Sequence, residues 1–191
     1  MAAHSQSHIF PTDLGWMGVA WSDNKLTRIT FDHPSAAAAT ASLETDVAEA
    51  EPAESLPGWI ADLVHRLQSY AAGHTEHFND VPLDLTHLSE FQASVVKACR
   101  KIGHGKVRTY GELAASAGSP GAARAVGSVM SKNRFPIVVP CHRVVGAGDS
   151  LGGFSSRDGV CMKERMLSLE GAEQRRVGQG RRGRRPTIKP R

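Results

Sequence analysis

Residues 109–130 read TYGELAASAGSPGAARAVGSVM, and this stretch decides how the second half of the chain is read. Tyr110–Ala117 has the composition of a short helix. Gly118-Ser119-Pro120-Gly121 interrupts it, and Ala122–Met130 predicts a second helix. Two short helices around a tight glycine-containing turn make a helix-turn-helix. The second helix is almost devoid of bulk. Ala122, Ala123, Ala125, Gly127 and Ser128 leave Arg124 as the long polar side chain of its first turns. A surface that smooth fits two uses, close packing in a core or close approach to a groove of nucleic acid, and the pattern itself leaves both open.

Working outward, Ser89 and Gln92 have capping-box spacing at the start of a further helix, with Phe91, Val95, Cys99 and Ile102 on one face. Cys99 there reads as a small core hydrophobe. Another helix is expected from about Met162 to Glu170, stopped by Gly171. Toward the N-terminus, Gly15–Trp21 and Leu26–Phe31 flank Ser22-Asp23-Asn24-Lys25, which has turn chemistry, and together they predict a β-hairpin. A helix is expected around Ala36–Leu43. A second is marked by Trp59, Ile60, Leu63, Val64, Leu67 and Tyr70 at helical spacing, with Pro57 before it and Gly73 after. Val81–Leu85 reads as a short extended piece.

Charge divides the chain. Residues 1–85 carry three Lys/Arg against twelve Asp/Glu, residues 86–170 twelve against six, and residues 171–191 eight against one. A basic second half following an acidic first half suits a polyanionic partner. The Arg/Gly-rich tail has little to bury and is expected to be disordered. With 40% hydrophobic residues the chain has the composition of a globular protein. No apolar run is long enough to span a bilayer, and no secretory signal is expected from the first residues. Three cysteines without CxxC spacing argue against a disulfide framework and a cysteine-rich zinc site, and suggest a reducing cytoplasm.

Residues 136–146, PIVVPCHRVVG, hold the chemistry-bearing pair Cys141-His142. Pro140 denies the chain a ladder donor and favours an irregular turn, after which a cysteine can be presented at a pocket wall. Val138-Val139 reads as a strand leading into that turn. A neighbouring imidazole can take the thiol proton, and the thiolate is the nucleophile. A buried strand that happens to hold a thiol is the competing reading, and a Cys-His dipeptide alone does not separate the two.

Thr109–Ala114, Ala122–Gly127, Asn133, and Pro140-Cys141-His142-Arg143-Val144, with Gly152-Gly153-Phe154-Ser155 and Glu170 downstream, resemble the O6-alkylguanine-DNA alkyltransferases, also called methylated-DNA–protein-cysteine methyltransferases. The resemblance is strong over about residues 89–170 and weaker over the Trp-containing hairpin. It implies an α+β chain of two domains. Residues 1–85 would form an N-terminal RNase H-like α/β domain with a small antiparallel sheet. Residues 86–171 would form a C-terminal winged-helix-like, helix-turn-helix alkyltransferase domain, and 172–191 the basic tail.

The activity implied is direct, irreversible, single-turnover repair. Cys141 would take the alkyl group from O6-alkylguanine, and from O4-alkylthymine, in double-stranded DNA after the base is flipped. His142 would act as base toward Cys141 through a water, and Glu170 would orient His142. Asn133 would hold the turn carrying the cysteine. Tyr110 would give a proton to the departing guanine. Arg124 would fill the gap in the stack, with Ala122, Ala123, Gly127 and Tyr110 also at the DNA. Met130, Pro136, Val144, Val145, Phe154 and Ser155 are the expected pocket wall, with backbone carbonyls near Cys141 and Val144 reading guanine edges. No metal, cofactor, membrane or obligate protein partner is expected, and the protein is expected to act as a monomer at the nucleoid or in the nucleus. The sequence departs from the family at Phe154, where many relatives carry a hydroxylated aromatic. It has no cysteine before Cys99, which puts the N-terminal zinc site of some members in doubt. A helix-turn-helix regulator would explain the basic half but not the Cys-His turn. A cysteine hydrolase would explain the thiol but not Arg124 on its smooth helix.

Overall fold

The computed structural model describes residues 5–43, 49–148 and 150–172. The basic tail beyond Ala172 and part of the acidic stretch after Leu43 lie outside them. The N-terminal part is built on a sheet with strands β1 (Gln6–Thr12), β2 (Gly15–Ser22) and β3 (Lys25–His33) in antiparallel order, edged by β4 (Glu49–Ala50) parallel to β1. The expected hairpin is β2–β3. Asp23 and Asn24 at its tip both have positive φ, 48° and 60°, the geometry of the two-residue turns that asparagine and aspartate tolerate. The sequence reading missed β1, whose QSHIFPT has polar residues at its start and a proline near its end. Pro11 is accommodated because a strand whose outer edge is paired over only two residues needs few donors there.

Helix α1 (Ala36–Leu43) follows as expected, and α2 (Gly58–Ala71) lays Ile60, Leu63, Val64, Leu67 and Tyr70 into the core. Val81–Leu85 is extended, but it contributes only the isolated parallel bridge Leu26–Leu83. Helix α3 (Glu90–Arg100) starts at the anticipated capping box: Ser89 Oγ accepts from the Gln92 amide, and the Gln92 side chain accepts from the Ser89 amide. Cys99 is fully buried on its inner face. A two-residue strand β5 (Arg108–Thr109) leads into α4 (Tyr110–Ser116), which carries a second capping box formed by Thr109 and Glu112. After the turn, α5 (Ala123–Ser131) packs against α4 and α3.

Strand β6 (Val144–Val145) pairs in parallel with β5, so Thr109 lies opposite Val145. This short ladder sets the start of α4 beside the Cys-His segment. Helix α6 (Val160–Leu169) begins two residues earlier than expected and ends by setting Glu170 at its C-cap. The fold is thus α+β, a small antiparallel sheet with helices, and one continuous apolar cluster runs from Phe10 and Tyr70 through Val95 to Met166. Among the described residues, no helix is long and apolar enough to cross a membrane.

Candidate active site

The segment before the cysteine is no strand, contrary to the sequence reading. Residues 136–138 form a turn, and Ile137 sits at φ 72° with its side chain buried. The Val138 amide donates to Pro136 O (2.9 Å), closing a γ-turn around that left-handed residue, a strained geometry for a β-branched side chain. A second, inverse γ-turn follows at Pro140 (φ −78°, ψ 66°), where the Cys141 amide donates to Val139 O (2.8 Å). Two prolines in five residues leave no run of donors for a ladder, so the apolar residues pack as a knot instead of a strand.

Asn133 ties this knot with both ends of its amide. Oδ1 accepts from the Phe135 N–H (3.0 Å), and Nδ2 donates to Val139 O (2.9 Å) and to Cys141 Sγ (3.2 Å). Cys141 opens a single helical turn, Cys141–Arg143, that is buried throughout. Burial pushes the Cys141 thiol up, while the Asn133 hydrogen bond and the nearby Lys163 charge oppose that rise. The resting group is therefore a thiol that needs a base.

His142 has no exposed surface. Its Nε2 donates to Glu170 Oε1 (2.8 Å), and its Nδ1 is buried with no hydrogen-bond partner among the described residues. Burial holds the ring below its ordinary value of 6.5 against the pull of Glu170, so it is neutral near neutrality and can accept a proton at Nδ1. Glu170 is the hub. Besides His142 it accepts from Arg143 Nε (2.9 and 3.1 Å) and Nη2 (2.8 Å), from Tyr70 Oη (2.8 Å) and from the Gly105 amide (3.1 Å). Burial alone would raise its carboxyl, but the His142 and Arg143 bonds and charges prevail and hold it far below the ordinary carboxylate range. Gly105 is required at its place, because it has φ 68° and a Cβ there would lie 3.0 Å from Glu170 O.

Three members of this arrangement were not identified as site residues from the sequence. Arg143 lies inside the Pro-Cys-His-Arg-Val run, yet nothing local shows that it turns inward to Glu170 and, through Nη1, to Ile102 O (2.6 Å). Tyr70 belongs to the apolar stripe of α2 and reaches Glu170 across 100 positions of sequence. Lys163 is fully buried: its Nζ donates to Val144 O and Leu151 O (both 2.6 Å), with Gly153 O at 3.5 Å, and lies about 6 Å from the Tyr110 and Phe154 ring centres. Burial lowers it to about 8. A buried charge must find acceptors, and here they pin the 151–153 loop beneath Tyr110. Gly152 (φ 69°) allows that approach, since a Cβ there would be 2.9 Å from the Tyr110 ring.

Two cavities meet at Cys141. One, about 470 Å³, is lined by Tyr110, Gly127, Met130, Phe154 and Ser155. The other, about 530 Å³, opens toward β3 and includes Pro136, Asn133 and again Met130, Phe154 and Ser155. Val144 and Val145, expected in the wall, line neither. Val144 is fully buried, with its carbonyl taken by Lys163, and the pair forms β6, hydrogen-bonded to β5. The Val144 carbonyl proposed to read a base edge is likewise engaged by Lys163. Pro136 borders only the β3-side cavity. Arg124 is exposed on the first turn of α5, with Ala122, Ala123 and Gly127 partly covered around it. Tyr110 is half-buried, and its hydroxyl is kept protonated by burial and by the proximity of Cys141 and Cys99. Among the described residues, no cluster of three or more His, Cys, Asp or Glu could hold a metal.

Comparison with known proteins identifies the family. Residues 90–172 match the family described as 6-O-methylguanine DNA methyltransferase, DNA binding domain. The methylated-DNA–protein-cysteine methyltransferase of Mycolicibacterium paratuberculosis is 46% identical over 114 residues, covering 60% of this chain and 67% of that protein. Its namesake from Methanosarcina acetivorans is 46% identical over 107 residues, 56% of this chain and 66% of the relative. In structure, Mycobacterium tuberculosis OGT in complex with DNA superposes with a TM-score of 0.70 at 34% identity, covering 87% of this chain and 93% of that one. With Cys141, its oriented histidine and the helix-turn-helix in one frame, the chain belongs to the methylated-DNA–protein-cysteine methyltransferase family.

Proposed function

We infer that this protein repairs DNA by moving the alkyl group of O6-alkylguanine, and of O4-alkylthymine, onto Cys141 in a single irreversible turnover. The observation that carries the reading is the junction at Cys141: a nucleophile at the end of a cavity lined by α4 and α5, with a neutral histidine at its side locked by a buried carboxylate. The alkylated atom lies within the base stack of a duplex, so the nucleotide must be extruded at a cost of a few kcal/mol. Arg124 takes its place in the stack, and the small residues around it let α5 sit close to the groove. The base then enters between Tyr110 and Phe154, while Met130 supplies an apolar wall for the alkyl group.

His142 Nδ1 removes the Cys141 proton through one water, and Glu170 fixes the tautomer that leaves Nδ1 free to accept it. Sγ attacks the alkyl carbon as its bond to O6 breaks, giving a thioether. The electron pair leaves with the guanine, which takes a proton from Tyr110. Asn133 keeps Sγ aimed and Lys163 holds the loop under Tyr110. The chain divides into an N-terminal RNase H-like unit, residues 1–85, and a winged-helix-like catalytic unit, residues 86–171, with the basic tail adding phosphate attraction. It acts as a monomer, without a metal or an obligate protein partner, in the compartment that holds the DNA. Intact-mass measurement after incubation with O6-methylguanine duplex tests the reading. One methyl group is gained per chain, and none in Cys141→Ala. Folded wild-type protein that keeps its mass refutes it.

A further inference from the structure

Strand β3 is the edge of the N-terminal sheet, and its pairing with β2 is irregular near its end. Trp16 faces His33 and Gly18 faces Thr30, so Phe31 and Asp32 together stand opposite Met17. Asp32 has φ 66°. Among side chains other than glycine, aspartate and asparagine enter this left-handed region most readily. A bulge of this kind re-aims a side chain. Gly15 (φ 90°) gives it room, since a Cβ there would lie 3.0 Å from His33 O and 3.4 Å from Asp32 Cα. A regular strand with one buried face alternates, but here Phe31 and Asp32, adjacent in sequence, are both buried.

Both residues of the bulge meet the chain that follows Gly153. The Phe31 ring packs edge-on against Phe154, with centres 6.1 Å apart. Asp32 Oδ2 accepts from the Asp158 amide (2.9 Å) across 126 positions of sequence. A buried carboxylate must be met by donors, so this bond holds two segments that are otherwise free to part. Phe154 and Ser155, just before it, border both cavities at Cys141. Neither makes a hydrogen bond among the described residues, so their place is set by the chain at either end. Upstream, Lys163 holds Leu151 O and Gly153 O. Downstream, the Gly159 amide closes a turn on Ser156 O (3.1 Å), and the Asp158 amide held by Asp32 lies inside that turn.

We propose that Asp32 is a positioning residue for alkyl transfer: through the Asp158 amide it holds the Phe154-Ser155 wall in place against Cys141. The N-terminal sheet then takes part in the reaction by fixing one side of the cavity that receives the base. This rests on the alkyl-transfer reading and adds to it a residue that touches neither the nucleophile nor its base.

Three variants separate the side chain from the backbone. Asparagine keeps an acceptor oxygen and tolerates the left-handed φ, glycine keeps the φ without the acceptor, and alanine keeps neither. Single-turnover kinetics on an O6-methylguanine duplex, below each protein's melting range, give the duplex Kd and the first-order transfer constant separately. Asp32→Gly and Asp32→Ala are each expected to lower the transfer constant about tenfold, the scale of one hydrogen bond to a charged group. Their Kd stays at the wild-type value, because Arg124 and α5 are untouched. Asp32→Asn recovers most of the rate. A glycine variant as fast as wild type overturns the proposal, since Asp32 then serves only the backbone. So does an asparagine variant as slow as glycine, or a loss confined to Kd. Should a variant fail to fold, wild type alone still decides. Its Asp158 amide, on an exposed residue, is expected to exchange hydrogen at least about tenfold more slowly than an unprotected amide, and unprotected exchange overturns the proposal. Wild type that takes up no alkyl group refutes alkyl transfer itself, a result distinct from each of these.

Discussion

Replacing Glu170 by glutamine tests the hub of the site with the smallest change of shape. Every neighbour of that carboxylate is a donor: His142 Nε2, Arg143 Nε and Nη2, the Tyr70 hydroxyl and the Gly105 amide. A carboxylate can accept from all of them. A glutamine presents an NH2 group to at least one and leaves the Arg143 guanidinium buried without its counter-charge, with Ile102 O and a single neutral amide oxygen as acceptors. Breaking a buried pair in this way costs about 3–5 kcal/mol. For a chain of this size that corresponds to a fall in Tm of about 6–20 °C.

The chemical effect is separate from that loss of stability. His142 loses the partner that fixes its tautomer, and a comparable loss in a serine-protease triad lowers turnover by about 10⁴. Stopped-time alkylation by free O6-benzylguanine, below the melting range, should fall by at least about 10², since a general base contributes on that scale. Adding Arg143→Met to Glu170→Gln removes the orphaned charge, so it restores part of the Tm without restoring the rate. Acid titration supplies a third arm. The Glu170 carboxyl is depressed in the folded chain, so its contribution to stability is complete above its ordinary value of 4.5 and drains as pH falls below that. The variant lacks that part of the acid slope. His142 is also depressed, so wild type begins losing stability already below 6.5, where the unfolded chain binds a proton that the folded ring resists. A Glu170→Gln protein with wild-type melting temperature and wild-type alkylation rate would refute the hub.

Two other substitutions probe the cysteine and the recognition helix. Arg124→Ala should slow repair of duplex DNA by about tenfold or more, the scale of losing a stacking replacement for the flipped base, and leave reaction with free O6-benzylguanine unchanged; equal losses on both would refute its role in the stack. Asn133→Ala removes three hydrogen bonds around the cysteine turn and leaves the buried Phe135 amide without that partner, at about 1–3 kcal/mol for the orphaned group, while Val139 O keeps the Cys141 amide. It also removes the bond that lowers the thiol, so the pH profile of alkylation shifts upward, and an unshifted profile would contradict that assignment.

Much of this molecule is legible in the order of its residues. Periodicity and capping placed α2 and α3, and composition with the Gly/Pro interruption placed α1, α4 and α5, because amphipathic spacing, caps and chain breakers are local properties. The Asp-Asn turn marked the β2–β3 hairpin for the same reason. The Pro-Cys-His-Arg-Val run, Asn133 and Glu170 carried the family, and the structure brings Asn133 to Cys141 and His142 to Glu170 within bonding reach. The strand expected at Val138-Val139 failed because β-branched residues raise strand propensity while the flanking prolines and the Asn133 amide impose γ-turns, and the tertiary hydrogen bonds win. Whether Tyr70 was core or catalytic support, which way Arg143 turned, and that Lys163 would be buried under the loop at Leu151 and Gly153 were decided only in three dimensions. Each of those side chains is satisfied by an acceptor far away in sequence or across a loop. A sequence fixes which groups can donate, accept or carry charge. Which of them lose their water, and so must find one another, depends on how the helices close over the cysteine.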